Sequence, residues 1–202
     1  MELFFREAEE KDFKESGELT RDAFWDVYKP GCDEHFVLYK IRNSEGYIQE
    51  LDIVAVAGEK LIGHIICTKA KVIVPAGTAH LVLCAGPLSI KPAYQRKGYG
   101  SKLMEYCIEK ARDSGYSGMI LFGNPDYYHR FGFRNAADFG ITTKEGVNFE
   151  PFMAKELQPD GLKGIQGKFF EDEVYSTDEA ALKEFETRFP YREKHILPIQ
   201  LK

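Results

Sequence analysis

The chain has 202 residues, 44% apolar and 29% charged, with a net charge of -5. That is enough apolar material for one substantial core, so a single domain over 1–202 is expected, and the acidic balance argues against a general nucleic-acid binder. No uncharged apolar run approaches the roughly 18 residues of a membrane span, and Met1-Glu2-Leu3-Phe4-Phe5-Arg6-Glu7 lacks the layout of a secretory leader, which predicts a cytoplasmic protein with no membrane partner.

In chain order, Leu3 to Arg6 reads as a short strand. From about Lys11 to Val27, Leu19, Ala23, Phe24 and Val27 fall at helical spacing. Tyr28 to Glu50 shows no clear period and carries Pro30-Gly31 and Asn43-Ser44-Glu45-Gly46, so a loop with a short helix around Glu34 to Lys40 is predicted. Leu51 to Ala57 and Leu61 to Val74 are rich in Val and Ile and flank Gly58-Glu59-Lys60, the pattern of a hairpin. After a turn at Pro75-Ala76-Gly77, Ala79 to Ile90 is a third strand interrupted by Gly86-Pro87; proline removes a ladder donor, so the strand must bulge or part from a neighbour there. Tyr99 to Asp113 places Leu103, Met104, Cys107, Ile108 and Ala111 on one helical face, with Gly115 as the stop. Gly118 to Phe122 is a buried strand, entered by a βαβ connection and hence parallel to the strand at 79–90. Gly123-Asn124-Pro125 opens another helix, strands follow at Pro151 to Leu157 and Gly167 to Phe170, and a peripheral helix lies at about 177–189. Cys32, Cys67, Cys84 and Cys107 stand apart with no C-x-x-C pair, which indicates neither a metal site nor a disulfide framework; Cys67, Cys84 and Cys107 read as small core residues.

The chemistry concentrates after Ile90. Gln95-Arg96-Lys97-Gly98-Tyr99-Gly100-Ser101 is a glycine-bearing cationic turn opening a helix, where absent Cβ atoms, unpaired N–H groups and the positive end of the helix dipole suit a phosphate. A dinucleotide fingerprint would need a third glycine where Leu103 stands, and a Walker loop needs Gly-Lys-Ser/Thr where this chain has Gly100-Ser101-Lys102. The order that does occur, Gln-x-x-Gly-x-Gly directly after a strand, resembles the acetyl-CoA pyrophosphate loop of the GNAT N-acetyltransferases. Downstream, Tyr128-His129-Arg130-Phe131-Gly132-Phe133 resembles the helix and turn that close the cofactor cleft of that family. Gly86-Pro87-Leu88, Gly123-Asn124-Pro125-Asp126-Tyr127-Tyr128 and Phe152-Met153-Ala154-Lys155-Glu156-Leu157 resemble in particular its YhbS-like branch, extending the likeness through about residue 170.

The resemblance implies an α/β fold with a twisted mixed sheet splayed at the cofactor cleft, a core of about 3–170 and a C-terminal extension. It implies acetyl-CoA as cosubstrate and no metal, with the cofactor between the strand ending at Ile90 and that ending at Phe122. Pantetheine would pair with the main chain of Leu88, Ser89 and Ile90, and the pyrophosphate would take the N–H groups of Gln95, Arg96, Lys97, Gly98, Tyr99, Gly100 and Ser101. Asn124 would reach the cofactor from the opposite wall. Acetyl transfer to an amine needs an oxyanion donor and an acid for the departing thiolate. The Leu88 N–H is the oxyanion candidate; Tyr128 occupies the family's general-acid position, with Tyr127 behind it. The base is undetermined: His64, His80, Glu50, Asp52 and the Asp33-Glu34-His35 cluster are options, as is a water chain, and Cys84 and Gly86 stand where some relatives carry histidines.

The function implied is an acetyl-CoA-dependent N-acetyltransferase acting by direct attack of a primary amine on a small molecule or protein. The acidic surplus favours a cationic acceptor. A non-catalytic acyl-CoA-binding regulatory module would keep Gly98 and Gly100 without requiring Tyr128. No nucleic-acid partner is expected, and a homodimer stays open. The acceptor pocket would come from variable loops such as 28–50 and the region after Gly140.

Overall fold

The computed structural model describes residues 3–201; Met1, Glu2 and Lys202 lie outside the described residues. In chain order the elements are β1 (Leu3–Glu7), α1 (Phe13–Phe24), α2 (Glu34–Ile41), β2 (Tyr47–Ala57), β3 (Lys60–Ile73), β4 (Ala79–Ile90), α3 (Tyr99–Asp113), β5 (Gly118–Phe122), α4 (Pro125–Tyr128), β6 (Arg134–Asn135), β7 (Ile141–Thr142), β8 (Phe152–Glu156), β9 (Gly167–Phe170) and α5 (Glu179–Glu186). The strands make one mixed sheet, the α/β class the sequence predicts. The chain divides into two compact units: one holds residues up to Ile66, Pro87–Met104 and those from Glu173 onward, and the other holds Cys67–Gly86 and Glu105–Asp172.

In the first unit β1 lies antiparallel to β2, from Leu3 opposite Ala57 to Glu7 opposite Ile53, and β2 neighbours β3. The run Leu51 to Ala57 is buried throughout because helices cover it. Leu19 of α1 packs with Ala8, Val54, Val56 and Leu61, while Val37, Leu38 and Ile41 of α2 pack on Ile66. The first helix ends at Phe24 rather than at Val27, since Trp25 leaves the helical region and Asp26 turns left-handed at φ 59° while its carboxylate accepts the Gly31 N–H at 2.6 Å. The strand predicted from Leu51 begins at Tyr47. The last helix is capped by Asp178, which accepts the Ala181 N–H at 2.8 Å, and so starts two residues after the predicted Thr177. Its Phe185 stacks near Phe36 and Tyr39 of α2, at 4.8 and 5.0 Å between ring centroids.

In the second unit β4 runs parallel to β5 as predicted, pairing Leu83 with Met119 and Cys84 with Ile120, upstream of Gly86-Pro87. Beyond β5, β8 lies antiparallel from Gly118 opposite Glu156 to Phe122 opposite Phe152, and β6 flanks β8. The end of β3 receives β9, whose other edge takes β7. Cys67 and Cys107 meet at 3.6 Å between sulfurs as thiols, and with Cys84 they are buried core residues. The five apolar residues predicted to face the core from α3 are all 5% exposed or less, and Gly115 ends that helix at φ 83°.

Candidate functional site

The turn before α3 has the backbone of a concave loop. Arg96 at φ 59° and Gly98 at φ 81° are both left-handed, a backbone alternation that gathers successive N–H groups into an anion-binding concavity. A side chain added at Gly98 would meet no protein atom within 4 Å, so the space in front of it is open. The Lys102 N–H bonds the Gly98 carbonyl at 3.1 Å, which leaves Tyr99, Gly100 and Ser101 as the first-turn donors of α3. At Gln95, whose N–H the resemblance gives to the pyrophosphate, that N–H donates to Pro92 O at 3.2 Å and the side-chain Nε2 to Ile90 O at 2.9 Å, which tethers the turn to the end of β4. The Lys97 ammonium is held at Ala93 O, 2.9 Å away, beside the Tyr94 ring.

The strand entering this turn is fixed by its neighbour. The Lys91 N–H donates to Ile62 O at 2.8 Å, and a side chain on Gly63 would collide with Ile90, Ala55 and Leu103, so Ile90 lies over a bare backbone. Strand alternation sends the next residues to the other face. There Ser89 is buried, its hydroxyl 2.9 Å from Thr20 Oγ1 of α1 and 3.4 Å from His64 O of β3. Leu88 is half-buried.

On that face lies a buried polar network. Asp52 and His64 are both 0% exposed, with His64 Nε2 at 2.6 Å from Asp52 Oδ1. Arg42 clamps the same carboxylate through Nε at 2.8 Å and Nη2 at 3.1 Å, and its Nη2 also donates to Ser16 Oγ at 3.0 Å. The Tyr47 hydroxyl donates to Asp52 Oδ2 at 3.1 Å. Burial alone would raise the Asp52 carboxyl, but hydrogen bonds from His64 and Arg42 and the Arg42 charge outweigh it and hold it well below the usual carboxylate range. Burial lowers His64 from its ordinary value against the pull of Asp52. His64 and Asp52 were among several candidate bases, whereas Arg42 and Tyr47 carried no sequence signal. Glu50 is exposed and His80, in the second unit, is half-buried.

A second buried constellation joins α2 to α5. His35 Nδ1 is 3.5 Å from Cys32 Sγ and its Nε2 is 2.5 Å from Glu186 Oε1, while Arg21 donates to both oxygens of Glu186. This has the composition of a nucleophilic triad, but burial pushes the Cys32 thiol far up and lowers His35 to about 4, so both stay neutral and the group is structural.

In the second unit Asn124 caps α4, its Oδ1 accepting the Asp126 N–H at 2.9 Å. Tyr128 is half-buried with its ring edge-on to Phe133 at 5.7 Å, and Tyr127 stands at a right angle to it at 5.0 Å. A side chain on Gly123 would occupy the volume of the Tyr128 ring.

Residues 5–136 match the family described as the acetyltransferase (GNAT) domain, and the chain belongs to that family. Among curated proteins it is 27% identical over 81 residues to the uncharacterized N-acetyltransferase YhbS of Escherichia coli K12, covering 40% of this chain and 48% of that protein. To YjhQ of the same strain it is 34% identical over 80 residues, covering 39% and 42%. The chain thus spans about half the length, or less, of the curated relatives it matches. Its fold is shared by a GNAT family acetyltransferase from Brucella melitensis, solved in complex with acetyl-CoA, at TM-score 0.71 and 23% identity over 87% of this chain and 99% of that one. It is shared also by E. coli YhbS in complex with CoA, at TM-score 0.76 and 21% identity over 86% and 91%. No helix among the described residues is long and apolar enough to cross a membrane.

Proposed function

We propose that this chain is an N-acetyltransferase that moves an acetyl group from acetyl-CoA to a primary amine of a small molecule or protein. The observation that carries this is the turn before α3: left-handed Arg96 and Gly98, open space at Gly98 and the Gln95 tether together suit a pyrophosphate at a helix start. The related proteins solved with acetyl-CoA and CoA support the choice of ligand.

In this reading the N–H groups of Arg96 to Ser101 take the pyrophosphate and the main chain of Leu88 to Ile90 aligns the pantetheine. The amine nitrogen attacks the thioester carbon, and the Leu88 N–H donates to the oxygen as it becomes an oxyanion; one such donor contributes about 2.7–4 kcal/mol. As the carbon–sulfur bond breaks, Tyr128 gives its phenolic proton to the thiolate; a phenol stays protonated at neutral pH. Four thiols with no disulfide suit the reducing cytoplasm expected from the sequence.

The test is thiol release from acetyl-CoA in the presence of spermidine, kanamycin, free amino acids and short peptides, alongside calorimetric titration of acetyl-CoA. Micromolar binding with amine-dependent thiol release is expected. Binding without release for any amine would favour the regulatory module, and no binding at all would end the reading.

A further inference from the structure

We propose that His64, held by Asp52, is the proton acceptor for the attacking amine, taking the proton at Nδ1 either directly or through one bridging water. This inference rests on the acetyltransferase reading and assigns the base which that reading leaves open.

The geometry fixes the tautomer. Asp52 Oδ1 can only accept, so at 2.6 Å His64 Nε2 must carry the hydrogen. Nδ1 is then a lone pair, and it is a buried nitrogen with no hydrogen-bond partner among the described residues. Burying an unpaired acceptor is unfavourable, and folded proteins rarely leave one without a function or an ordered water. A carboxylate on one ring nitrogen and an unengaged lone pair on the other is the arrangement by which general bases are oriented. Its position is apt, since His64 neighbours Ser89, the middle residue of the segment assigned to pantetheine, and Ser89 Oγ approaches His64 O.

The charges facing the imidazole determine its behaviour. Asp52 and Tyr47 approach from β2, Arg42 from the end of α2, Ser16 from α1, and Asp12, itself forked to Arg6, from the turn before α1. Arg42 Nη2 lies 3.2 Å from His64 Nε2 and neutralises the carboxylate that would otherwise stabilise an imidazolium. The ring is therefore neutral and able to accept at physiological pH, and its protonation falls below the ordinary histidine range. The step balances: the amine nitrogen bonds to the acetyl carbon, the carbon–sulfur bond breaks, the amine proton passes to Nδ1, and the thiolate leaves as thiol with the Tyr128 proton.

The experiment measures kcat/KM against pH with the best acceptor of the panel above, for the wild type, His64→Gln and Arg42→Gln, with acetyl-CoA affinity and melting temperature recorded for each. The wild type should show an acidic limb below pH 6.5. His64→Gln should lose roughly 100-fold or more in kcat/KM together with that limb, while binding acetyl-CoA as the wild type does. Arg42→Gln should move the limb to higher pH, which a merely structural arginine would not do. In the unaltered protein, nitrogen-15 imidazole spectra should show His64 as the Nε2–H tautomer, titrating where the kinetic limb falls; this holds even if a variant fails to fold. Retention of rate and limb in His64→Gln, or an Nδ1–H tautomer in the wild type, overturns the inference while leaving acetyl transfer intact. Absence of transfer by the wild type overturns the underlying reading instead.

Discussion

Replacing Gly98 by valine separates backbone strain from ligand exclusion, because a matched control exists elsewhere in the chain. Gly98 at φ 81° and Gly77 at φ 87° are both left-handed, and a Cβ on either would meet no atom within 4 Å. Neither added Cβ therefore clashes, and each substitution carries the left-handed penalty of an L residue, about 1–2 kcal/mol. For a chain of this length that corresponds to a fall in Tm of about 2–8 °C, expected alike for Gly98→Val and Gly77→Val. Only at Gly98 does the new side chain enter the space assigned to the pyrophosphate. Displacing one charge-assisted N–H contact there costs about 1.5–3 kcal/mol, so the Kd for acetyl-CoA should rise about 10- to 100-fold. Differential scanning calorimetry and isothermal titration of both variants measure the two effects. Equal affinity in both variants would refute the phosphate assignment, and a rise in both would show that the change reports strain alone.

Tyr128→Phe should lower kcat at saturating substrates by about 100-fold or more, with acetyl-CoA affinity unchanged, since only the proton donor is removed; steady-state kinetics with titration checks this, and an unaltered kcat removes the role. Asp52→Asn leaves the Arg42 guanidinium, its side chain 6% exposed, without a counter-charge, and should destabilise the fold by about 3–5 kcal/mol in urea denaturation. His35 titrates near 4 in the folded chain because burial opposes its charging, whereas in the unfolded chain it protonates near 6.5. Below pH 6.5 the unfolded state then binds the extra proton, so stability present above that pH is lost as acid is added, by about 1.4 kcal/mol per pH unit until about pH 4. His35→Phe, which keeps a ring among Phe185 and Phe189, should remove that portion of the slope, and an unchanged slope would show that His35 is not the source.

What the sequence revealed was local. The glycine turn, the α3 stripe with its terminal glycine, and the β4 strand each depend on residues within a few positions of one another, and each is found where expected. The parallel pairing of β4 with β5 followed from the helix that connects them. The boundaries that moved were decided by side chains acting on backbone: Asp26 accepting the Gly31 N–H ends α1 early, and Asp178 accepting the Ala181 N–H sets the start of α5. The buried network was illegible for a different reason. Arg42, Tyr47, Asp52 and His64 come from the end of a helix and two strands, and neither helical nor strand periodicity marks an arginine that will lie beside a carboxylate. Asp52 and His64 looked like ordinary candidates among several until the fold set them 2.6 Å apart. The backward reach of the Gln95 side chain to Ile90 O also lay outside what a local pattern can show.

The bare backbone of Gly123 carries a consequence for anyone mapping tolerance to mutation in this chain. Because the aromatic ring of Tyr128 rests where a methyl group at that position would stand, even alanine must evict it. A saturation scan scored on acetylation should thus reveal a prohibited site that bears no reactive group, its intolerance inherited from a tyrosine five residues further along the polypeptide.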